Sequence, residues 1–177
     1  MKKISDNILK IILGFGVFVF LIVSFFGYQD IPLYQLKKKY TDSYSSFVRV
    51  GGMDIHYRDQ GKQTDSIPIV LIHGTGSSLH TYDNWVSELA INHRVVRMDL
   101  PGYGLTGPFP NRDYSYNNYV AFLKDFLESI GLKKCILTGS SLGGNIAWRF
   151  TIENPDMVIK LILIDAAGYP LKSKSVP

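Results

Sequence analysis

Between residues 138 and 145 the chain reads T-G-S-S-L-G-G-N, and Gly139-Ser140-Ser141-Leu142-Gly143 within it has the form G-x-S-x-G. The apolar run Cys135-Ile136-Leu137 precedes it and Ile146-Ala147-Trp148 follows, which sets the motif between a strand and a helix. A turn that tight holds Ser141 in a strained backbone conformation and pushes its hydroxyl out above the strand ends. Glycine at 139 and 143 leaves room for the crossing. That is the setting of a nucleophile; the competing reading of the pentapeptide is a plain strand–helix turn. A second loop, His73-Gly74-Thr75-Gly76-Ser77-Ser78, follows the apolar run at residues 68–72. Acyl transfer builds negative charge on a carbonyl oxygen, and two fixed backbone N–H groups there stabilise the transition state. The N–H of Thr75 and the N–H of Leu142, the residue after the serine, are the candidates.

A serine nucleophile needs a base, and the four histidines, His56, His73, His80 and His93, all precede Ser141. His73 could serve as the base, but a role in fixing its own loop by hydrogen bonding suits its position better. The other three have no partner pattern and read as surface or internally satisfied histidines. Cys135 opens an apolar run and reads as a small core residue, with a catalytic thiol as the alternative. Gly102-Tyr103-Gly104-Leu105-Thr106-Gly107 matches G-x-G-x-x-G, but Pro108-Phe109-Pro110 follows in place of a helix N-terminus. No amide cluster would then face a pyrophosphate, so the motif reads as a loop and not a dinucleotide site. No His/Cys cluster has metal-ligand spacing, and no cofactor is expected.

The elements that must carry these residues alternate. Residues 47–50 and 53–58 flank Gly51-Gly52 and predict a hairpin with a tight glycine turn. Strands are expected at 68–72, 94–98, 135–138 and 159–164, and helices at 80–90, 116–130 and 142–154. In the 116–130 stretch Tyr119, Phe122, Leu123, Phe126, Leu127 and Ile130 recur at helical spacing, and Gly131 ends the run. Strands alternating with helices imply a mostly parallel sheet with helices on both faces, an α/β fold.

The net charge of +4 lies wholly in residues 1–50, which hold seven Lys/Arg and three Asp/Glu; residues 51–177 hold twelve of each. The globular part lacks the basic excess that phosphate neutralisation requires, so no nucleic acid is expected as partner. Residues 11–28 carry no charge, and with Ile8 and Leu9 the run is long enough to span a bilayer as a helix. Its length and weak cleavage site favour an uncleaved anchor over a secretory signal. The lysine balance leans to an N-terminus inside and a domain outside the cytoplasm. Three parts follow: an anchor at 1–28, a tether at 29–46 whose Lys37, Lys38 and Lys39 are solvated or face headgroups, and an α/β domain at 47–177.

Taken together, His73-Gly74, Trp85, Asp99-Leu100-Pro101-Gly102-Tyr103-Gly104, Gly139-Ser140-Ser141-Leu142-Gly143-Gly144 and Leu163-Ile164-Asp165-Ala166 resemble the first two-thirds of an α/β-hydrolase. The resemblance implies Ser141 as nucleophile, the Thr75 and Leu142 amides as oxyanion hole, and a structural Asp99. Haloalkane dehalogenases and epoxide hydrolases carry aspartate at the elbow, so an esterase-, lipase-, haloperoxidase- or C–C-hydrolase-like member fits the serine better. In the family an acid and then a histidine follow the nucleophile. After Asp156 the chain offers only Asp165, which reads as triad acid in some relatives and as structural in more. Two readings stand. One is a membrane-anchored serine hydrolase acting on a small ester-like substrate, its core stopping after about six strands and completed by a downstream polypeptide segment that brings the histidine. The other is a non-catalytic binding or scaffold protein on a degraded hydrolase fold.

Overall fold

The computed structural model describes residues 6–27 and 30–168. Lys2, Lys3, Tyr28 and the stretch 169–177, assigned above to anchor and domain, lie outside the described residues. The chain divides into two compact units, Met1–Leu36 and Lys37–Pro177. The first contains helix α1, Asp6–Phe26, whose segment Ile8–Phe26 has a mean hydropathy of 2.7 and no buried residue, length and composition sufficient to cross a membrane. The stretch read as a tether contains a short helix, α2, Leu33–Tyr40. Pro32 precedes it, and its carbonyl accepts the Gln35 N–H at 2.9 Å. A proline just ahead of a helix has its φ already set and no N–H to leave unsatisfied, a signal that the polar composition obscured.

The hairpin forms as its glycines require. Strands β1, Ser45–Val50, and β2, Met53–Gly61, pair antiparallel, and Gly51 and Gly52 between them take φ of 54° and 83°. Positive φ at both turn positions matches the right-handed twist of the flanking strands. Beyond it come β3, Ile69–Ile72, β4, Arg94–Met98, β5, Cys135–Ser140, and β6, Val158–Ile164. The six strands run in the order β1-β2-β4-β3-β5-β6. The β4-β3-β5-β6 portion is parallel, and β1 and β2 extend it antiparallel.

Side chains on β3 alternate between two cores. Val70 and Ile72 pack with Phe122, Phe126, Ile146 and Phe150 on one face, while Ile69 and Leu71 pack with Tyr82 and Val86 on the other. Helices α4, Tyr116–Ser129, and α5, Leu142–Glu153, therefore cover the first face and α3, Asp83–Leu89, the second. A strand buried on both sides needs a continuous apolar run, which I-V-L-I supplies. Helix α4 ends as its glycine predicts: Gly131 takes φ 74°, and the Leu132 N–H reaches back to the Leu127 carbonyl at 2.8 Å. The expected helix over 80–90 instead opens with a 3-10 turn, Leu79–Tyr82, before α3 begins.

On the α3 face, Arg58 and Arg97 stand directly opposite each other on β2 and β4, both buried. Like charges opposed across a ladder repel, and the Asp83 carboxylate at the start of α3 bridges them. It pairs with the Arg97 guanidinium and lies 3.6 Å from that of Arg58, while Asp42 takes the other side of Arg58 at 3.1 Å. Burial pushes the Asp83 carboxyl up, but hydrogen bonds from His80 and Arg97 more than offset it and hold the group below its ordinary 3.8. A depressed folded-state pKa means that its contribution is present above the unfolded value and is lost as pH falls through the folded one. Asp83→Ala should therefore cost about 2 kcal/mol near neutral pH by leaving two buried cations unbridged, and adding Arg97→Met should restore part of it. Chemical denaturation of the full chain in detergent micelles checks this. A double variant as unstable as the sum of its two single variants would remove the bridge from the account.

Candidate active site

Ser141 lies between the last residue of β5 and the first of α5, with φ 50° and ψ −113°. For a residue with a Cβ that region is sparsely populated and costs on the order of 1–3 kcal/mol, so the surroundings must impose it. The Ser141 N–H donates to the Ile164 carbonyl at 3.1 Å, and its own carbonyl accepts the N–H groups of Asn145 and Ala167 at 3.0 Å each. The backbone of the serine is thus fixed on both sides, by β6 and by the first turn of α5. Its side chain is not: the residue is exposed, and among the described residues its hydroxyl has no hydrogen-bond partner.

Close packing explains the glycines around it. A Cβ on Gly139 would overlap the Gly143 carbonyl, and one on Gly143 would overlap the carbonyl oxygens of Ile72 and His73 at the end of β3. Gly144 meets Ala166 in the same way, at 2.6 Å. Helix α5 thus starts with its backbone laid against β3, β5 and the segment after β6. Gly74 brings the second loop in: a Cβ there would sit 3.1 Å from the Ser141 Cβ and 3.8 Å from its hydroxyl oxygen. Thr75, next along, is exposed, and among the described residues neither its N–H nor that of Leu142 donates a hydrogen bond. The Leu142 N–H opens a helix, where backbone donors and the helix dipole favour negative charge.

Each histidine has a partner other than Ser141, although His80 Nε2 is buried without one among the described residues. His73 is buried, with Nδ1 2.7 Å from the Gly74 carbonyl and Nε2 accepting the Leu100 N–H at 3.0 Å. Because a carbonyl can only accept, these partners assign the proton to Nδ1. Burial lowers the pKa of this ring, outweighing the Gly74 bond and the charge of Asp99, so it stays neutral with no nitrogen free for Ser141. His80 pairs with Asp83 at 2.9 Å and His93 with Asp65 at 3.2 Å. His56, for which the sequence offered no pattern, is fully buried with Nδ1 2.8 Å from Asp99 Oδ2. That contact joins residues 43 apart, one on β2 and the other just after β4. Cys135 is buried, which pushes its thiol up to about 12 and removes it as a nucleophile at neutral pH.

Asp99 follows β4 directly and accepts N–H groups from Leu79 at 2.8 Å and Leu105 at 2.9 Å besides His56. Burial works to raise its pKa, but these three donors outweigh it and keep the carboxylate ionised. The Gly102–Gly107 motif is the loop that wraps this carboxylate. Gly104 takes φ 54° there, and a Cβ on it would overlap the Asp99 side chain. Asp165, the candidate acid, follows β6 in an exposed position with φ 44°, between the Ile164 and Ala167 groups that bond to Ser141. Asn145 was not anticipated at all. It is buried, and its amide donates to the Ala167 carbonyl at 2.9 Å, as does the Trp148 indole at 3.2 Å. The two fix the chain that leaves β6 over the start of α5.

Comparison with known proteins agrees with this geometry. A family model described as alpha/beta hydrolase fold matches residues 67–176. Epoxide hydrolase 4 of Homo sapiens is 35% identical over 122 residues, 67% of this chain and 33% of that protein. The 2-hydroxy-6-oxo-6-(2'-aminophenyl)hexa-2,4-dienoic acid hydrolase of Metapseudomonas resinovorans is 30% identical over 139 residues, 76% of this chain and 47% of that one. The chain therefore spans about a third to a half of the length of these relatives. Among solved structures, that of a bacterial membrane phospholipase A superposes with a TM-score of 0.70 at 25% identity, covering 91% of this chain and 53% of that one. With the matched family model, the sheet order and the serine turn in agreement, this chain belongs to the alpha/beta hydrolase fold family.

Proposed function

We propose that the protein is a membrane-anchored serine hydrolase acting on an ester or related acyl bond. Ser141 is the nucleophile, and the Thr75 and Leu142 N–H groups form the oxyanion hole. One observation carries the reading: a non-glycine residue is forced to φ 50° at the strand–helix turn while its hydroxyl is left exposed and unbonded. A structural turn at this place would relax by substituting glycine; a nucleophile cannot. The two undonated N–H groups beside it suit a tetrahedral oxyanion. A serine, unlike a carboxylate, needs a general base, and the four histidines of this chain are bonded to other partners.

We place the base, and the acid that orients it, in sequence corresponding to the additional length of the relatives. Strand β6 offers the seat for that sequence. It is an edge strand, and Ile159, Ile162 and Leu163 are each 45% exposed on it. An apolar edge of this kind pairs with another strand or aggregates. Asp165, at the tip of β6, remains the candidate acid within the chain. The engaged histidines also favour a second reading, a non-catalytic binding protein on this fold, and the experiment on Ser141 separates the two.

In the full-length protein, a fluorophosphonate probe should label the wild type and Ser140→Ala but not Ser141→Ala. Turnover of p-nitrophenyl esters should fall roughly 10³-fold or more in Ser141→Ala, since binding and the oxyanion hole alone remain. Labelling that survives Ser141→Ala, or a wild type inert to probe and ester alike, would decide for the binding protein. For the anchor, α1 has a mean hydropathy of 2.7 over Ile8–Phe26, with Lys10 near its start the one charge there. We place the N-terminus inside and the domain outside the cytoplasm. Carbonate washing should leave the full chain in the membrane pellet and release a version that starts at Tyr40. Release of the uncleaved full chain would mean that α1 does not hold the protein in the bilayer.

A further inference from the structure

We propose that His56 is a positioning residue for the oxyanion loop, acting through Asp99. The proposal rests on the reading of Thr75 as an oxyanion donor. The loop from Gly74 to Ser78 is clamped at both ends on two consecutive residues of one strand end. At its start, His73 joins the Gly74 carbonyl to the Leu100 N–H. At its finish, the Leu79 N–H donates to Asp99 Oδ1. Between the two clamps the backbone passes Ser141. Any shift of the Asp99 carboxylate therefore moves one end of the segment that carries the Thr75 N–H.

His56 is what holds that carboxylate from behind. Its carbonyl accepts the Asp99 N–H at 2.9 Å, and its Nδ1 meets Oδ2 at 2.8 Å. The ring is wedged in place by Phe47, stacked at 5.1 Å between centroids, and by Ser45, whose Oγ lies 3.1 Å from Nε2. The backbone N–H of His56 is tied to Thr106 Oγ1 at 3.0 Å, in the loop that wraps Asp99. With Asp99 able only to accept, the proton belongs on Nδ1, and Nε2 accepts from the Ser45 hydroxyl.

Ser45, His56 and Asp99 thus repeat the hydrogen-bond order of a serine triad away from Ser141. Ser45 is nevertheless no second nucleophile. Its oxygen already accepts from Arg58 Nε at 3.3 Å and from the Asp42 N–H at 3.2 Å, which occupies both lone pairs. The group is a cap on the imidazole, and the relay ends at the loop amides of Leu79 and Leu105, not at a substrate.

The test compares His56→Leu, which removes the Nδ1 donor, with His56→Asn, whose amide nitrogen can stand in its place. Removing one partner of a buried charged group leaves it unsatisfied, so the Leu79 and Leu105 amides should exchange hydrogen about tenfold or more faster in His56→Leu. Amides of Val70 and Leu137 in the central strands should keep their wild-type rates. In the full-length protein His56→Leu should lower kcat on p-nitrophenyl esters about tenfold with KM unchanged, and His56→Asn should recover most of both effects. Unaltered exchange at Leu79, acceleration of the whole core in step, or an Asn variant no better than Leu would overturn the proposal. Exchange that responds as stated in a protein whose wild-type Ser141 is inert would leave the clamp standing and sink the catalytic reading instead.

Discussion

Everything at the candidate site depends on how closely the first turn of α5 lies against the ends of β3 and β5. Gly143 has no room for a Cβ because the carbonyls of Ile72 and His73 are there, and Gly139 has none because Gly143 is there. Each of these backbones fixes the next. That mutual contact forces Ser141 to φ 50° and keeps it there, since relaxing the serine would require α5 to lift off the sheet. The contact also brings Gly74 against the serine. Ser141 and Gly74 lie 67 positions apart in sequence, yet one packing constraint sets both.

A sheet built to hold that contact needs both faces covered, and the two faces are covered differently. The α4–α5 face is apolar almost throughout, with Phe126 and Phe150 fully buried at its centre. On the α3 face, Arg58 and Arg97 take positions where a conventional core would place aliphatic side chains. Their charges are matched by Asp83 and Asp42, and Arg97 also donates to the Leu79 carbonyl at 3.0 Å and to Gln60 at 3.0 Å. Leu79 is thus held from two sides, its N–H by Asp99 and its carbonyl by Arg97. The polar half of the interior is organised around the residue that follows the Gly74–Ser78 loop.

Much of this was legible in the sequence where the signal is local. The glycine hairpin, the Gly131 stop, the apolar run of β3 and the strand–serine–helix context each depend on neighbours within a few residues. The 3-10 turn at Leu79–Tyr82 was not legible. Its opening N–H, that of Leu79, is satisfied by Asp99 from 20 residues away, a partner that no local pattern shows. His56 gave no sign of its partner because that partner is 43 residues on, just past the end of another strand, β4. Nothing short of strand register reveals that Arg58 and Arg97 face each other. Asn145 gives no local signal for the same reason: its bond to the Ala167 carbonyl exists only once β6 lies beside β5.

The two serines of this domain show what residue type alone leaves undecided. Ser45 has a histidine and a buried carboxylate in line behind it; Ser141 has neither among the described residues. By composition the first is the better triad. Reactivity turns instead on which oxygen keeps a lone pair free and lies where charge can be stabilised. Ser45 Oγ is fully coordinated by Arg58, Asp42 and His56, and each bond makes it a better cap and a poorer nucleophile. Ser141 is held by its backbone only, so its hydroxyl is left exposed and unbonded among the described residues. Strain in the main chain and freedom in the side chain go together here, because the contacts that fix the serine are made by its backbone and leave its oxygen unoccupied.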